Sequence, residues 1–229
     1  MVKYIPNIKW SFWQKRLAEG ALIVGSVYLA IVLESLSDER GRAEDARAGL
    51  VQLQAELVAD RSDLRSILVD QQELNIAQQN LQKWLASPAT MPNESVHLAL
   101  EILTSNSTMF PRRGAWTSLI SGGQLTSVGN DALVTRLANL YENLYVRLEY
   151  NGRDYDYNLN EVNRVTVSAV WDQVNRQPFG DMVKLRNELL FIEVGWTRFY
   201  LSLLEDYEIE LDEVLSDLEA HLKNSGSGD

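Results

Sequence analysis

From Leu50 onward the chain repeats apolar residues in alternating steps of three and four. Positions 50, 53, 57, 60, 64, 67, 71, 74, 78, 81 and 85 hold Leu, Leu, Leu, Asp, Leu, Ile, Gln, Leu, Gln, Leu and Leu. Eight of these eleven are apolar, which is one face of a helix kept up over about five heptads. No proline stands between Pro6 and Pro88, so the pattern predicts a helix running unbroken to about Leu85. Asp60, Gln71 and Gln78 interrupt the seam. In a coiled coil they would specify register; in a bundle they are expected at its edge.

The pattern upstream is of another kind. Leu17–Leu33 is LAEGALIVGSVYLAIVL, with no charge from Gly20 to Leu33. A helix over Leu17–Glu34 is roughly 27 Å long, enough for a hydrocarbon layer. A cleaved signal peptide would have a shorter apolar run ending in small residues. Here the run leads into Glu34-Ser35-Leu36-Ser37-Asp38-Glu39-Arg40. The expectation is an uncleaved single-pass anchor. Within it Ala21 and Gly25, and Ser26 and Ala30, are small residues four apart, the spacing that lets two helices approach closely in lipid.

Beyond Leu85 the chain predicts further helices. Ser87-Pro88 to Pro92-Asn93 is a turn, and Asn93 is placed to cap a short helix, Glu94 to Leu103. Ala115 to Ile120 is another, stopped by Gly122-Gly123. Asn130 or Asp131 caps a long helix carried by Leu133, Leu137, Leu140, Leu144 and Leu148. The β-branched run Val165 to Val170 continues that helix, since nothing nearby could pair with it as a strand. Pro178 and Gly180 break the chain. Asp181 opens a last helix carried by Leu185, Leu189, Ile192, Trp196, Tyr200, Leu203, Tyr207, Val214, Leu218 and Leu222. Trp116 and Trp196 are expected in the core. Long consecutive helices with short connections pack antiparallel. The fold class expected is all-α: one N-terminal transmembrane helix, then an elongated antiparallel helical bundle. The divisions are 1–16 as a cytoplasmic or interfacial segment, 17–34 as the span, 35–223 as the bundle and 224–229 as a disordered tail.

Charge adds direction. The formal net charge is −11 over 229 residues. Residues 1–16 nevertheless carry Lys3, Lys9, Lys15 and Arg16 with no acid, so the rest of the chain is more acidic than the whole. Basic residues before a span favour the cytoplasmic side. This predicts an inner-membrane protein of a bacterium, its N-terminus in the cytoplasm and its main domain in the periplasm. Trp10, Phe12, Trp13, Lys15 and Arg16 suit the headgroup level, where aromatic rings settle and basic side chains snorkel. An acidic outer domain repels phosphate, so no nucleic-acid partner is expected. The chain has no cysteine, which excludes disulfides and thiol chemistry and suits an oxidising compartment.

Three features resemble an uncharacterised family of bacterial single-pass membrane proteins, a domain of unknown function. One is Glu19-Gly20 opening the apolar run, with Ala30-Ile31-Val32-Leu33-Glu34 and Asp38-Glu39-Arg40 at its exit. Another is the Leu50 to Leu68 segment, with its Leu-x-x-Glu-Leu-x-x-Asp-Arg-x-x-Leu rhythm. The third is Ala115-Trp116-x-x-Leu119-x-x-Gly122, followed by Leu125, Leu133 and Leu140-Tyr141. The sequence departs from the family pattern at Leu36, where an aromatic is usual. The resemblance implies an anchor and a helical outer domain, and it carries no catalytic residues with it.

The residues name no reaction. Gly122-Gly123-Gln124 spells a release-factor tripeptide but sits where a helix must end. His97 and His221, the only histidines, lack metal-ligand spacing, and no Gly-x-Ser-x-Gly elbow occurs. No cofactor or metal is implied. The acids of the last helix, from Glu205 to Glu219, point in several directions and are expected to form a solvated face. The stretch Tyr150 to Asn158 places Tyr150, Tyr155 and Tyr157 among polar groups, a composition expected where tyrosines line a polar part of the bundle, with a partner-binding patch as the alternative. The functional expectation is a non-enzymatic accessory subunit that binds or braces an integral-membrane complex, with the lipid bilayer and a second copy as further partners. The alternatives are a periplasmic ligand sensor acting through a membrane partner and an anchored enzyme.

Overall fold

The computed structural model describes residues 10–87 and 91–225, without side chains for residues 10–21 and 23. One helix, α1 (Trp10–Ala86), runs for 77 residues, roughly 115 Å at 1.5 Å per residue. Its seam from Ala46 to Trp84 is the spine of the core: Leu50, Leu53, Leu57, Leu64, Leu74 and Leu81 are essentially inaccessible to solvent. The rest of the chain folds against this spine in three passes. Among the described residues the structure is all-α apart from one two-residue β pair, as the periodicity predicts.

The first pass descends along α1. It comprises α2 (Asn93–Thr104), an irregular stretch and α3 (Gly114–Ser121). Asn93 is the first residue of α2 and does not cap it; Pro92 holds the N-cap position with extended backbone. A 3₁₀ turn, Gln124–Ser127, follows α3. Gly122 ends α3 and Gly123 adopts φ 65°, a left-handed conformation that favours glycine. Gly49 lets α3 come close, because a Cβ there would meet Leu119 Cδ2 at 2.5 Å.

The second pass climbs through α4 (Asp131–Asn139), α5 (Tyr145–Glu161) and α6 (Ser168–Val170), joined by π turns at Leu140–Leu144 and Val162–Val167. Asn130 caps α4 by accepting from the Leu133 amide at 3.1 Å. Helix does continue through Val170, but Trp171–Asp172 (β1) then pairs antiparallel with Gln177–Pro178 (β2). The third pass descends through α7 (Met182–Ile192), a π turn at Glu193–Thr197 and α8 (Arg198–Ser225). Asp181 caps α7, accepting from the amides of Val183 at 2.9 Å and Lys184 at 3.2 Å. α8 extends through Ser225, and residues 226–229 of the expected tail lie outside the described residues.

Polar contacts to α1 fix the height of each pass. Going down, Gln71 meets Asn106, Asp60 meets Arg112 and Glu56 accepts from the Ala115 amide. Going up, Tyr145 reaches Asp60 and Tyr155 reaches Gln71. Going down again, Gln82 meets Glu193, Arg65 meets Glu208 and Arg61 meets Asp212. Asp60, Gln71 and Gln78 are therefore not at the bundle's edge: all three are fully buried. Asp60 is satisfied by the Arg112 amide at 3.0 Å, its guanidinium at 2.7 Å and the Tyr145 hydroxyl at 3.1 Å. Gln71 donates to Asn106 Oδ1 at 2.9 Å and accepts from Tyr155 Oη at 3.1 Å. Among the described residues the Gln78 amide has no hydrogen-bond partner.

From residue 33 to residue 45 α1 is exposed. Among the described residues no helix is long and apolar enough to cross a membrane. The expected span Leu17–Glu34 lies only partly within them, since the side chains of residues 17–21 and 23 are not described.

Leu57→Ala should cost about 2–5 kcal/mol, because the cavity opens in a closed core, while Val58→Ala at the neighbouring exposed position should stay within about 0.5 kcal/mol. Urea unfolding of the two variants checks this. Burial raises the Asp60 carboxyl above its ordinary 3.8, against the lowering effect of Arg112 and Tyr145. The folded state thus holds the Asp60 proton to higher pH than the unfolded chain. Its contribution is fullest below 3.8 and falls as pH rises through and above that value. A carboxyl-carbon NMR titration should place the Asp60 midpoint above 3.8, and a midpoint at or below it would contradict the assignment.

Candidate functional site

α7 has a core face and an outer face, and both are apolar. Leu185, Leu189 and Ile192 are fully buried, while Val183, Leu190, Phe191 and Val194 are each about half exposed. The π turn explains why the two faces coexist. It adds a residue to one turn of helix, so Glu193 follows Ile192 into the core, at 1% exposure, and Val194 swings outward. Glu193 is held there by Gln82 Nε2 and by Arg198, whose Nε lies 3.1 Å from it.

Phe191 stands between two depressions on this face. One, of about 170 Å³, is walled by α5 and its π turn through Asn158, Glu161 and Val165, and by Lys184 and Glu188 of α7. The other, of about 530 Å³, is walled by Asn187, Leu190, Val194 and Gly195. The result is a shallow apolar surface rimmed by charged and amide groups, at the end of the bundle far from residue 34. Contiguous apolar surface of this kind marks protein-interaction sites.

The tyrosine stretch on α5 divides. Tyr150 and Tyr157 are exposed, by 65% and 69%, and Tyr157 precedes Asn158 at the smaller depression. Tyr155 is not a surface residue. It is fully buried, donating to Gln71 and lying 3.0 Å from Thr197 Oγ1. The helical period turns position 155 inward between its two exposed neighbours. Gly25, Ser26 and Ala30 are exposed on α1. Ala21 lies outside the described side chains, as do Trp10, Phe12, Trp13, Lys15 and Arg16.

The remaining candidates serve the bundle. Trp116 is buried and stacks on Tyr141 with centroids 4.9 Å apart, and its Nε1 donates to Glu142 at 2.9 Å. Trp196 is half-buried against the core. His97 Nδ1 accepts from Trp171 Nε1 at 3.3 Å, and Trp84 meets Trp171 edge-on. Part of the acidic face of α8 is a clamp as well as a solvated surface: Arg136 pairs with Glu210, Glu213 and Asp217, and Arg65 with Glu208 and Asp212. At the base, an open cleft of about 920 Å³ is lined by Arg40, Glu44, Arg47, Ser127 and His221 among others.

Sequence reasoning passes over the α7 face. The periodic residues 185, 189 and 192 claim that helix for the core, and Leu190, Phe191 and Val194 look like part of the same apolar run. The signal is the surplus: α7 has more apolar residues than one face can hold.

No curated protein and no solved structure matches the chain. Residues 19–172 match a family described as one of unknown function (DUF6090), from the start of the apolar run through α1 to the end of β1. The chain belongs to this family of unknown function, DUF6090.

Proposed function

We propose that the protein is a non-enzymatic accessory subunit, anchored in the bacterial inner membrane by Leu17–Glu34, whose periplasmic bundle docks on a larger integral-membrane complex. The observation that carries the docking is the outer face of α7, where Leu190, Phe191 and Val194 stay exposed although their helix already has a complete core face. Large aromatic and aliphatic anchors in shallow pockets are where interface energy concentrates. The anchor rests on the sequence and on exposure. Leu22, Val24, Val27, Tyr28, Leu29, Ile31 and Leu33 are all more than half exposed. Apolar surface all round a helix suits lipid as its surroundings.

On this reading α1 is a mast. It carries the α7 face well clear of the bilayer surface, at the height of Gln82 and Glu193. Between residue 34 and Gln82 α1 rises by roughly 70 Å, which sets the reach of the contact. A partner would need an extracytoplasmic portion of at least that height.

Purification of the tagged full-length protein in mild detergent tests the proposal. The expected result is a co-purifying integral-membrane protein in near-equal amount. It should be lost with Phe191→Asp and kept with Ile120→Asp, which alters an exposed apolar residue elsewhere. Loss of one such anchor, worth about 2 kcal/mol, weakens binding roughly 30-fold. A lone protein under every mild condition, or a partner retained equally by Phe191→Asp, would overturn it.

A further inference from the structure

We infer that the far end of the bundle carries a pH-sensitive latch: neutral His97 holds Trp171 in the core, and a proton on His97 releases the hairpin that Trp171 anchors.

Both ring nitrogens of His97 are in use. Nδ1 accepts from Trp171 Nε1 at 3.3 Å. Nε2 lies 3.3 Å from Glu101 Oε1, one turn along α2. An indole can only donate, and a carboxylate can only accept. One form of the imidazole satisfies both, the neutral one with its hydrogen on Nε2. His97 and Trp171 are both buried, and their rings lie within 18° of parallel.

Protonation puts a second N–H on the ring, at Nδ1. It faces the N–H of Trp171 across 3.3 Å, donor against donor. Among the described residues the Trp171 indole has no other acceptor, and a buried donor left without one destabilises the fold. One of the two rings has to leave, and Glu101 decides which. Its contact with the imidazolium becomes a charged pair, which is stronger than the neutral one. His97 therefore stays and Trp171 moves.

The other charged groups near His97 are engaged elsewhere. Glu94 of α2 is taken up by Arg176 of the hairpin, and Asp172 is turned onto the amides of Val174 and Asn175. On α1 Lys83 is exposed beside Trp84, and on the π turn after α5 Arg164 pairs with Glu161. Among the described residues Glu101 is the charged group in contact with the ring.

Little besides Trp171 holds the hairpin. Its ladder is two residues long, Trp171 with Pro178 and Asp172 with Gln177. The amides of Phe179 and Gly180 reach the Val170 carbonyl at 2.9 and 3.4 Å. Val174 and Phe179 are exposed, and the Arg176–Glu94 pair is open to solvent and contributes little. Trp171, edge-on to Trp84 in the core, is the anchor. The hairpin runs directly into Asp181, the cap of α7, so the latch stands at the root of the surface proposed to dock. It needs neither the membrane nor the partner to operate.

Fluorine NMR of the full-length protein labelled with 5-fluorotryptophan tests the latch. The chain has six tryptophans, and Trp171→Phe identifies the signal of Trp171. Lowering the pH from about 7.5 to about 5 spans the imidazole range and leaves carboxylates charged. The Trp171 signal should shift and become sensitive to replacing water with heavy water, while that of Trp116, stacked on Tyr141, stays. His221, the other histidine, lines the cleft at the base, at the opposite end of the bundle. In His97→Asn the side-chain oxygen still accepts from Trp171 and does not titrate, so the signal should hold its position throughout. Glu101→Gln, a change at an exposed side chain, should move the wild-type transition to lower pH. A Trp171 signal that stays fixed in the wild type, that moves as far in His97→Asn, or whose midpoint is unchanged by Glu101→Gln would overturn the latch.

Discussion

The structure depends on one uninterrupted helix whose buried face is not wholly apolar. A seam of leucines alone would let neighbouring helices slide by a turn at modest cost, since each layer resembles the next. Asp60 and Gln71 remove that freedom. A buried carboxylate without its donors is expensive, and Asp60 finds them only where Arg112 and Tyr145 arrive together. Gln71 makes the same demand on Asn106 and Tyr155, about three turns further along. Two polar layers thus fix the descending and ascending passes against α1, and the leucines between them supply the burial energy.

The third pass is fixed differently. α8 shows its acids to arginines on both sides: Arg61 and Arg65 from α1, and Arg136 from α4. Most of these pairs are partly exposed, so each is worth little alone, and they guide placement more than they stabilise. The buried pairing is at Glu193, brought inward by a π turn onto Gln82 and Arg198. That turn also frees the outer face of α7, so one local irregularity both locks the last pass and exposes the apolar surface proposed to bind a partner.

Much of this was legible in the sequence. The seam from Leu50 to Leu85 announces α1, and Asn130 and Asp181 mark their helix starts because side-chain caps are local chemistry. What was not legible depends on distant partners. Asp60 looks like an edge residue until Arg112, 52 positions away, is placed against it. Tyr155 looks like Tyr150 and Tyr157 until the register of α5 turns it towards Gln71. The pairing of Trp171 with Pro178 needs a turn closed by Asp172, which accepts from the amides of Val174 and Asn175, and no strand periodicity announces a two-residue pair. The α7 surface was hidden for a further reason: apolar residues signal burial, and only packing shows which ones find no neighbour.

On the proposed function, α1 carries the bundle outward from a membrane, with its far end free to dock. Accessibility of single cysteines in intact bacterial cells tests this most directly. Lys3→Cys and Ser202→Cys variants, the latter exposed on α8, are treated with a maleimide that enters the periplasm and does not cross the inner membrane. Labelling is expected at 202 in whole cells, and at 3 only after the inner membrane is opened. Labelling at 3 with protection at 202, or both residues in the soluble cytoplasmic fraction, would contradict it.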